Sequence, residues 1–319
     1  MIKQFLLAAA LGLSIATNAV AQTQVMRIVV TFAPGGPVEL VARIMAERLG
    51  KELGRTVIVE NKPGANGAIG AVSVVRSPPD GNTVWLTSVG AAAINPALYK
   101  SLPYDMQRDF APVAVVVNNV ELLVANQDEP SKDAAEFVAA TKNRPNPTAI
   151  ASSGIGSIPH LAIEQLKDAT GAKLLHVPYK GGALAITDLM GGQVRGFFGD
   201  VPGLLNYVQG GRLKALGVAS PKRLPSLPDV KTLEEQGIKG VDTNNWYAMF
   251  APAKTPAAVV DAINKAVRNT LADPQVREKL LKAGTEPAPS TPQALAALLK
   301  HDTDKWAKLI QDKNIRIDQ

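Results

Sequence analysis

Between Met26 and Arg43 the chain reads Met-Arg-Ile-Val-Val-Thr-Phe-Ala-Pro-Gly-Gly-Pro-Val-Glu-Leu-Val-Ala-Arg, and no other stretch constrains the fold as tightly. Ile28, Val29 and Val30 make a short β-rich run, closed by the turn cluster Pro34-Gly35-Gly36. Pro37 suits the first position of a helix, where an N–H would go unpaired anyway. Beyond it Leu40, Val41, Ile44 and Leu49 recur at helical spacing, which puts Glu39, Arg43, Glu47 and Arg48 on the wet face. Strand, glycine turn and helix in such close succession aim unpaired backbone N–H groups at one point beyond the strand's carboxyl end. An anion can be held there. An ordinary tight strand-to-helix connection accounts for these residues equally well. A nucleotide-phosphate loop does not fit, because neither G-x-G-x-x-G nor a following Gly-Lys-Ser/Thr is present.

The first residues speak to compartment. Met1-Ile-Lys3 is a basic head, Phe5 to Ile15 is apolar, and Ala19-Val-Ala21 is an A-x-A cleavage signature. Residues 1–21 read as a secretory signal peptide; a membrane anchor would need roughly 20 apolar residues. A soluble, exported chain is expected. With no cysteine there are no disulfides, no thiolate metal site and no thiol nucleophile. About 300 mature residues favour two domains. The net charge of +6 comes from scattered Lys and Arg with few aromatics beside them. That argues against nucleic acid and for a mild attraction to anions.

Thr56–Val59 and Thr83–Thr87 are further strands, with a helix from Ala68 to Ser77 between them. The β-α-β-α-β alternation predicts a parallel sheet flanked by helices, with ligand outside the carboxyl ends of the strands, where Phe32, Ala33, Pro34, Gly35, Gly36 and Ser88 fall. A second copy of the opening device follows: the strand Thr148–Ala151, the turn Ser152-Ser-Gly-Ile-Gly-Ser157, and a helix from Pro159 that Ser157 can cap. If each loop opens a domain, both helix N-termini face one cleft. Each offers about 0.3–2 kcal/mol to an anion, and hydrogen bonds to a charged oxygen about 1.5–3 each. A micromolar ligand needs about 8, so two such clamps suffice, and a dianion suits them better than a monoanion.

More strands and helices alternate up to Ala219, and Thr243–Phe250 is again β-rich. Three helices follow, the first capped by Thr255 with Pro256 at its first position. Val259, Ile263 and Val267, together with Leu295, Leu298 and Leu299, read as stripes covering the first sheet. The expected organisation is an α/β chain with domain 1 from 22–118 plus 246–319 and domain 2 from 119–245. Two crossovers, near Val116–Val120 and Val241–Asn245, would form a hinge.

Catalysis finds little support. The three histidines, His160, His176 and His301, show no metal-ligand spacing. His160 and Ser157 are better read as one cap network than as base and nucleophile, and no G-x-S-x-G elbow exists. Asp200, at a strand end, could act as a general base but more simply accepts N–H or O–H bonds. No catalytic residue, metal or cofactor is expected.

Phe32-Ala-Pro-Gly-Gly-Pro-Val-Glu-Leu-Val-Ala-Arg43 resembles the opening signature of the Bug family, the TctC-like periplasmic solute receptors of tripartite tricarboxylate transporters. Val59-Glu-Asn-Lys-Pro-Gly-Ala-Asn-Gly67, Pro79-Asp-Gly81, Ser153-Gly-Ile-Gly-Ser157 with His160-Leu161, and Val177-Pro-Tyr-Lys-Gly-Gly182 match in the expected order. So do Asp188-Leu189 with Gly191-Gly-Gln-Val194, and Trp246-Tyr247 with Ala251-Pro252 and Thr255-Pro256. The resemblance implies a type II periplasmic binding protein, a monomeric Venus flytrap that binds a small carboxylate and delivers it to large and small integral membrane subunits. A receptor acting on a sensor kinase is the alternative. The implied ligand loops are Phe32–Pro37 (Phe32, Ala33, Pro34, Gly35, Gly36, Pro37) and Ser152–Ser157 (Ser152, Ser153, Gly156 and Ser157 among them), with Ser88 and Asp200 nearby. The family usually has Asp where this chain has Glu39. Valine at Gly36 or Gly156 is expected to abolish binding.

Overall fold

The computed structural model describes residues 25–32, 34–64, 67–241 and 243–316; residues 1–21, read above as a signal peptide, and Ala33 lie outside them. The chain opens β1 (Val25–Val30), α1 (Pro37–Leu53), β2 (Thr56–Asn61), α2 (Ala68–Val75) and β3 (Thr83–Ser88). A π-helical turn, Gly90–Ile94, runs into α3 (Asn95–Leu98), followed by α4 (Met106–Asp109) and β4 (Phe110–Asn118). Next come β5 (Glu121–Asn126), α5 (Ala134–Asn143), β6 (Thr148–Ser152), α6 (Ile158–Thr170) and β7 (Leu174–Pro178). After α7 (Gly182–Met190), β8 (Gly196–Asp200), α8 (Val201–Gln209) and β9 (Leu213–Val218), the chain returns through β10 (Tyr247–Pro252). It closes with α9 (Ala257–Ala272), α10 (Pro274–Lys282), β11 (Glu286–Pro287) and α11 (Pro292–Asp312).

The strands form two sheets, ordered β2-β1-β3-β10-β4-β11 and β7-β6-β8-β5-β9. In the first, β1 runs parallel to β2 and β3, while β10 is antiparallel to β3 and β4. In the second, β6 is parallel to β7 and β8, and β5 is antiparallel to β8 and β9. Each sheet is buried on both faces, so its strands read as continuous apolar runs whose alternate residues enter different cores. Ile28 and Val30 join Val41, Met45 and Ile263 on one face of the first sheet, while Val29 joins Trp85 and Trp306 on the other. Leu123 and Ala125 likewise pack with Phe137 and Ile163, and Leu122 and Val124 with Leu189 and Leu204.

The stripes expected over the first sheet cover it from opposite sides: Ile263 and Val267 of α9 on one face, Leu295 and Leu299 of α11 on the other. Helix α9 begins one residue later than expected, and Thr255 does not cap it; its buried hydroxyl has no partner among the described residues, and Pro256 supplies the carbonyl for Val259 and Val260. On α1 the wet and dry faces are partly exchanged. Glu39 is only 5 % exposed and Leu40 is 42 % exposed, because the Glu39 carboxylate turns back onto the loop before the helix.

Two short crossovers link the sheets, and they are bonded to each other: Asn119 N–H donates to Asn245 O (3.2 Å) and Asn245 N–H to Asn119 O (2.8 Å). Away from this seam Ile158 and Leu161 of α6 share a core with Ile94 and Leu98, and Lys313 at the end of α11 pairs with Asp168 of α6.

Candidate functional site

Strand direction puts the candidate residues at one end of each sheet. Because β1 and β3 are parallel, the loop after Val30 and Ser88 leave the first sheet on the same side. Because β6 and β8 are parallel, the loop after Ser152 and Asp200 leave the second on one side as well.

The first loop is braced by its own helix. Gly35 adopts φ +84°, a region glycine enters without a Cβ penalty. Its N–H donates to Glu39 Oε2 at 2.5 Å, and Glu39 Oε1 accepts from Arg43 Nε at 2.7 Å. The Gly35 N–H, first among the causes, holds the Glu39 carboxyl below the usual carboxylate range, with Arg43 adding to it. Asn61 Nδ2 donates to Phe32 O (3.1 Å), fixing the loop to the end of β2. Pro34 and Gly35 are exposed, and Gly36 precedes Pro37 in an extended conformation without a side-chain cap. Among the described residues no acceptor takes the amides of Val38 and Glu39 in the first turn, which suits them to an anion, while that of Gly35 is already engaged.

The second loop spends more of its groups on itself. Ser152 is fully buried; its hydroxyl lies 2.6 Å from His176 Nε2, 3.1 Å from Gly154 O, and accepts the Gly154 N–H at 3.2 Å. Ser157 donates to Gly154 O (2.7 Å) and caps α6 by accepting the His160 N–H (3.3 Å). Gly156 N–H donates to His160 Nδ1 at 3.0 Å. Ser157 and His160 thus form the cap network expected from their spacing, and Ser157 N–H is bonded to Gly154 O. Ser153 and Ile155 carry the loop's amides that no acceptor among the described residues takes. Gly156, at φ +73°, lies so close to α3 that an added Cβ would stand 2.0 Å from Leu98 Cδ2.

His160 and His176 are stacked behind this loop, ring centroids 3.8 Å apart and 11° from parallel. Burial pushes their pKa values down to about 4 and about 3, helped by Lys167 for the first and by His160 for the second. Two imidazoles in van der Waals contact cannot both charge, and Nδ1 of His160 must stay bare to accept from Gly156. Both folded values lie below the ordinary 6.5, so on acidification the unfolded chain binds protons first. Stability from this pair is complete above about pH 6.5 and drains from there toward about pH 3–4. Melting curves across pH 4–7 should show that loss, and a His160→Gln/His176→Gln double variant should flatten it; an unchanged slope would refute the pair's role.

Between the two sheets lies a polar floor that spacing did not reveal. Asp200 ends β8 directly opposite Glu121 at the start of β5. Asn245 Nδ2 donates to Asp200 Oδ1 at 2.5 Å and reaches Glu121 Oε1 at 3.4 Å. Burial, then the charge of Asp200, raises the Glu121 carboxyl well above its ordinary range; burial likewise raises Asp200. Ser88 pairs in register with Tyr247, whose phenol is raised first by burial and then by the charges of Asp200 and Glu121. A lone glutamate before the apolar run Leu122–Ala125 was the one available hint.

Among the described residues no group of three His, Cys, Asp or Glu is arranged to hold a metal, and no helix is long and apolar enough to cross a membrane. The family model described as the tripartite tricarboxylate transporter family receptor matches residues 41–315. A protein of Pseudomonas sp. strain P51, described as the UPF0065 protein in the tcbD-tcbE intergenic region, is 35% identical over 292 residues, 91% of this chain and 87% of its own. The solved structure of the periplasmic binding protein BugD superposes with a TM-score of 0.82 at 37% identity, covering 92% of this chain and 98% of that one. MatC from Rhodopseudomonas palustris, solved with bound malate, superposes with a TM-score of 0.80 at 30% identity, covering 90% and 98%.

Proposed function

The chain belongs to the tripartite tricarboxylate transporter receptor family, and from that premise we propose that it captures a small carboxylate in the periplasm for the membrane subunits of such a transporter. One observation carries this reading: two strand–glycine loop–helix devices, at Phe32–Pro37 and Ser152–Ser157, stand at the strand ends of two sheets joined by paired crossovers. In this reading the domains divide at the crossovers, 22–118 plus 246–319 against 119–245, and close on the ligand by bending there. The loops contribute backbone N–H groups from Val38, Glu39, Ser153 and Ile155, with the Ser153 hydroxyl beside them. Ser152, Gly156 and Ser157 hold the second loop in shape rather than reach the ligand. The carboxylate class is supported by the malate bound to MatC and by the absence of any arginine requirement in the energetics of two amide clamps.

The test is a thermal-shift screen of the mature protein, refolded to strip carried-over ligand, against dicarboxylates, tricarboxylates, aromatic acids and amino acids. At a hundredfold excess over Kd a ligand adds about 2.7 kcal/mol, which is several degrees in Tm at about 2–4 °C per kcal/mol. A shift confined to one class of acid is the expected result. No shift from any acid would remove the carboxylate reading.

A further inference from the structure

The floor of the cleft is an acceptor cluster short of donors. Glu121 is 0 % exposed, Asn119 2 % and Asn245 5 %, and each keeps one side-chain oxygen, Glu121 Oε2, Asn119 Oδ1 and Asn245 Oδ1, without a hydrogen-bond partner among the described residues. Orphaned buried polar atoms are rare, because each forfeits its hydration for nothing. Three within one cluster share a cause. Beyond the hydrogen bond the two carboxyl groups make to each other, the one side chain among the described residues that donates to the pair is Asn245, and the other end of that same amide is one of the orphans. Among the ion pairs of the described residues none engages Glu121 or Asp200.

Geometry then limits what can complete the cluster. Asp200 alone of this set retains partial exposure, so it is the side from which solvent or a ligand reaches the others. A carboxylate from the ligand would meet two carboxyl groups and be repelled. A divalent metal would want a third acidic or imidazole ligand, and no such group of three is found among the described residues. A group that only donates and carries one positive charge fits, since an ammonium brings three N–H bonds and no acceptor. A glutamate and aspartate sharing one proton carry one negative charge, which one ammonium neutralises.

We propose that Glu121, Asp200 and Asn245 read an ammonium group, so that the ligand is an amino acid whose carboxylate is held by the loops and whose amine is held at the hinge. This rests on the carboxylate-receptor reading above. It also gives closure a cause: the group that fills the floor sits between the crossovers on which the domains bend, and so favours the closed state.

The experiment is isothermal titration of ligand-stripped mature protein with amino acids, each paired with its deaminated and 2-hydroxy analogue: aspartate with succinate and malate, glutamate with glutarate and 2-hydroxyglutarate, and further pairs of the same design. At least one amino acid should bind tenfold or more tighter than both of its analogues. Glu121→Gln should collapse that ratio toward one while the deaminated acid binds as before, and Asp200→Asn serves as a second variant should the first fail to melt cooperatively. Analogues that bind as tightly as their amino acids overturn the ammonium assignment and leave the carboxylate receptor standing. An undiminished ratio in a cooperatively folded Glu121→Gln also overturns it. Failure of every acid to bind overturns both.

Discussion

Gly156→Val is expected to reduce carboxylate affinity at least a hundredfold and to lower Tm by several degrees. Two costs combine. A β-branched residue held at φ +73° costs about 1–3 kcal/mol. The Cβ would also stand 2.0 Å from Leu98 Cδ2, and forcing such a contact into a packed core costs about 1–3 kcal/mol more. Relief of either strain moves the loop, and with it the Gly156 N–H bond to His160 and the neighbouring Ile155 amide. The two costs separate in a double variant: Leu98→Ala should recover part of the stability lost by Gly156→Val, because it removes the clash and leaves the backbone penalty. If the double variant melts no higher than Leu98→Ala and Gly156→Val predict additively, the loop does not touch α3 at Leu98. Valine at Gly36 should do far less than the same change at Gly156. Gly36 sits at φ −80°, ψ 164°, which any residue adopts, and the left-handed glycine of the first loop is Gly35.

That exchange between Gly36 and Gly35 marks how far the sequence could be read. Strand, turn and helix were legible because apolar runs, glycine clusters and prolines act locally, and the Ser157 cap follows from a three-residue spacing. Which glycine takes positive φ depends on where the turn's hydrogen bonds close, and that is set by Glu39 reaching back four residues. Helical periodicity placed Glu39 on the wet face, since pattern alone weighs a carboxylate as solvated. The floor was invisible for another reason. Glu121 and Asp200 meet through antiparallel register across 79 positions, and Asn119 and Asn245 through a seam 126 positions apart. The π-helical turn Gly90–Ile94 went unseen because Gly-Ala-Ala-Ala-Ile carries no periodicity.

Glu39→Ala should weaken carboxylate binding about 10- to 150-fold without unfolding the protein. The carboxylate accepts the Gly35 N–H, and a hydrogen bond to a charged group is worth about 1.5–3 kcal/mol. Arg43 is 60% exposed and can return to water, so the loss falls on the loop rather than on the ion pair. A competing effect has the opposite sign. Glu39 places a negative charge at the N-terminus of α1, where a ligand anion would sit, and removing it favours an incoming carboxylate. Glu39→Gln divides the two, because its amide oxygen can still accept from Gly35 while the charge is gone. If bracing dominates, Gln binds nearly as well as Glu, and Ala is much weaker. If repulsion dominates, both variants bind more tightly than the wild type, and the bracing role is wrong. Glu39→Asp tests reach: a side chain shorter by one methylene cannot span from the first turn to Gly35 N–H and also hold Arg43, so one bond is given up and affinity falls between Gln and Ala. Acid should act as Ala does. The Glu39 pKa is depressed, so the brace is complete above the ordinary carboxylate value of 4.5 and fails only as pH drops through a value below it. Binding measured from pH 7 to pH 5 should therefore keep the Glu-to-Ala ratio constant, and a ratio that shrinks within that window would mean the carboxylate is not held by Gly35.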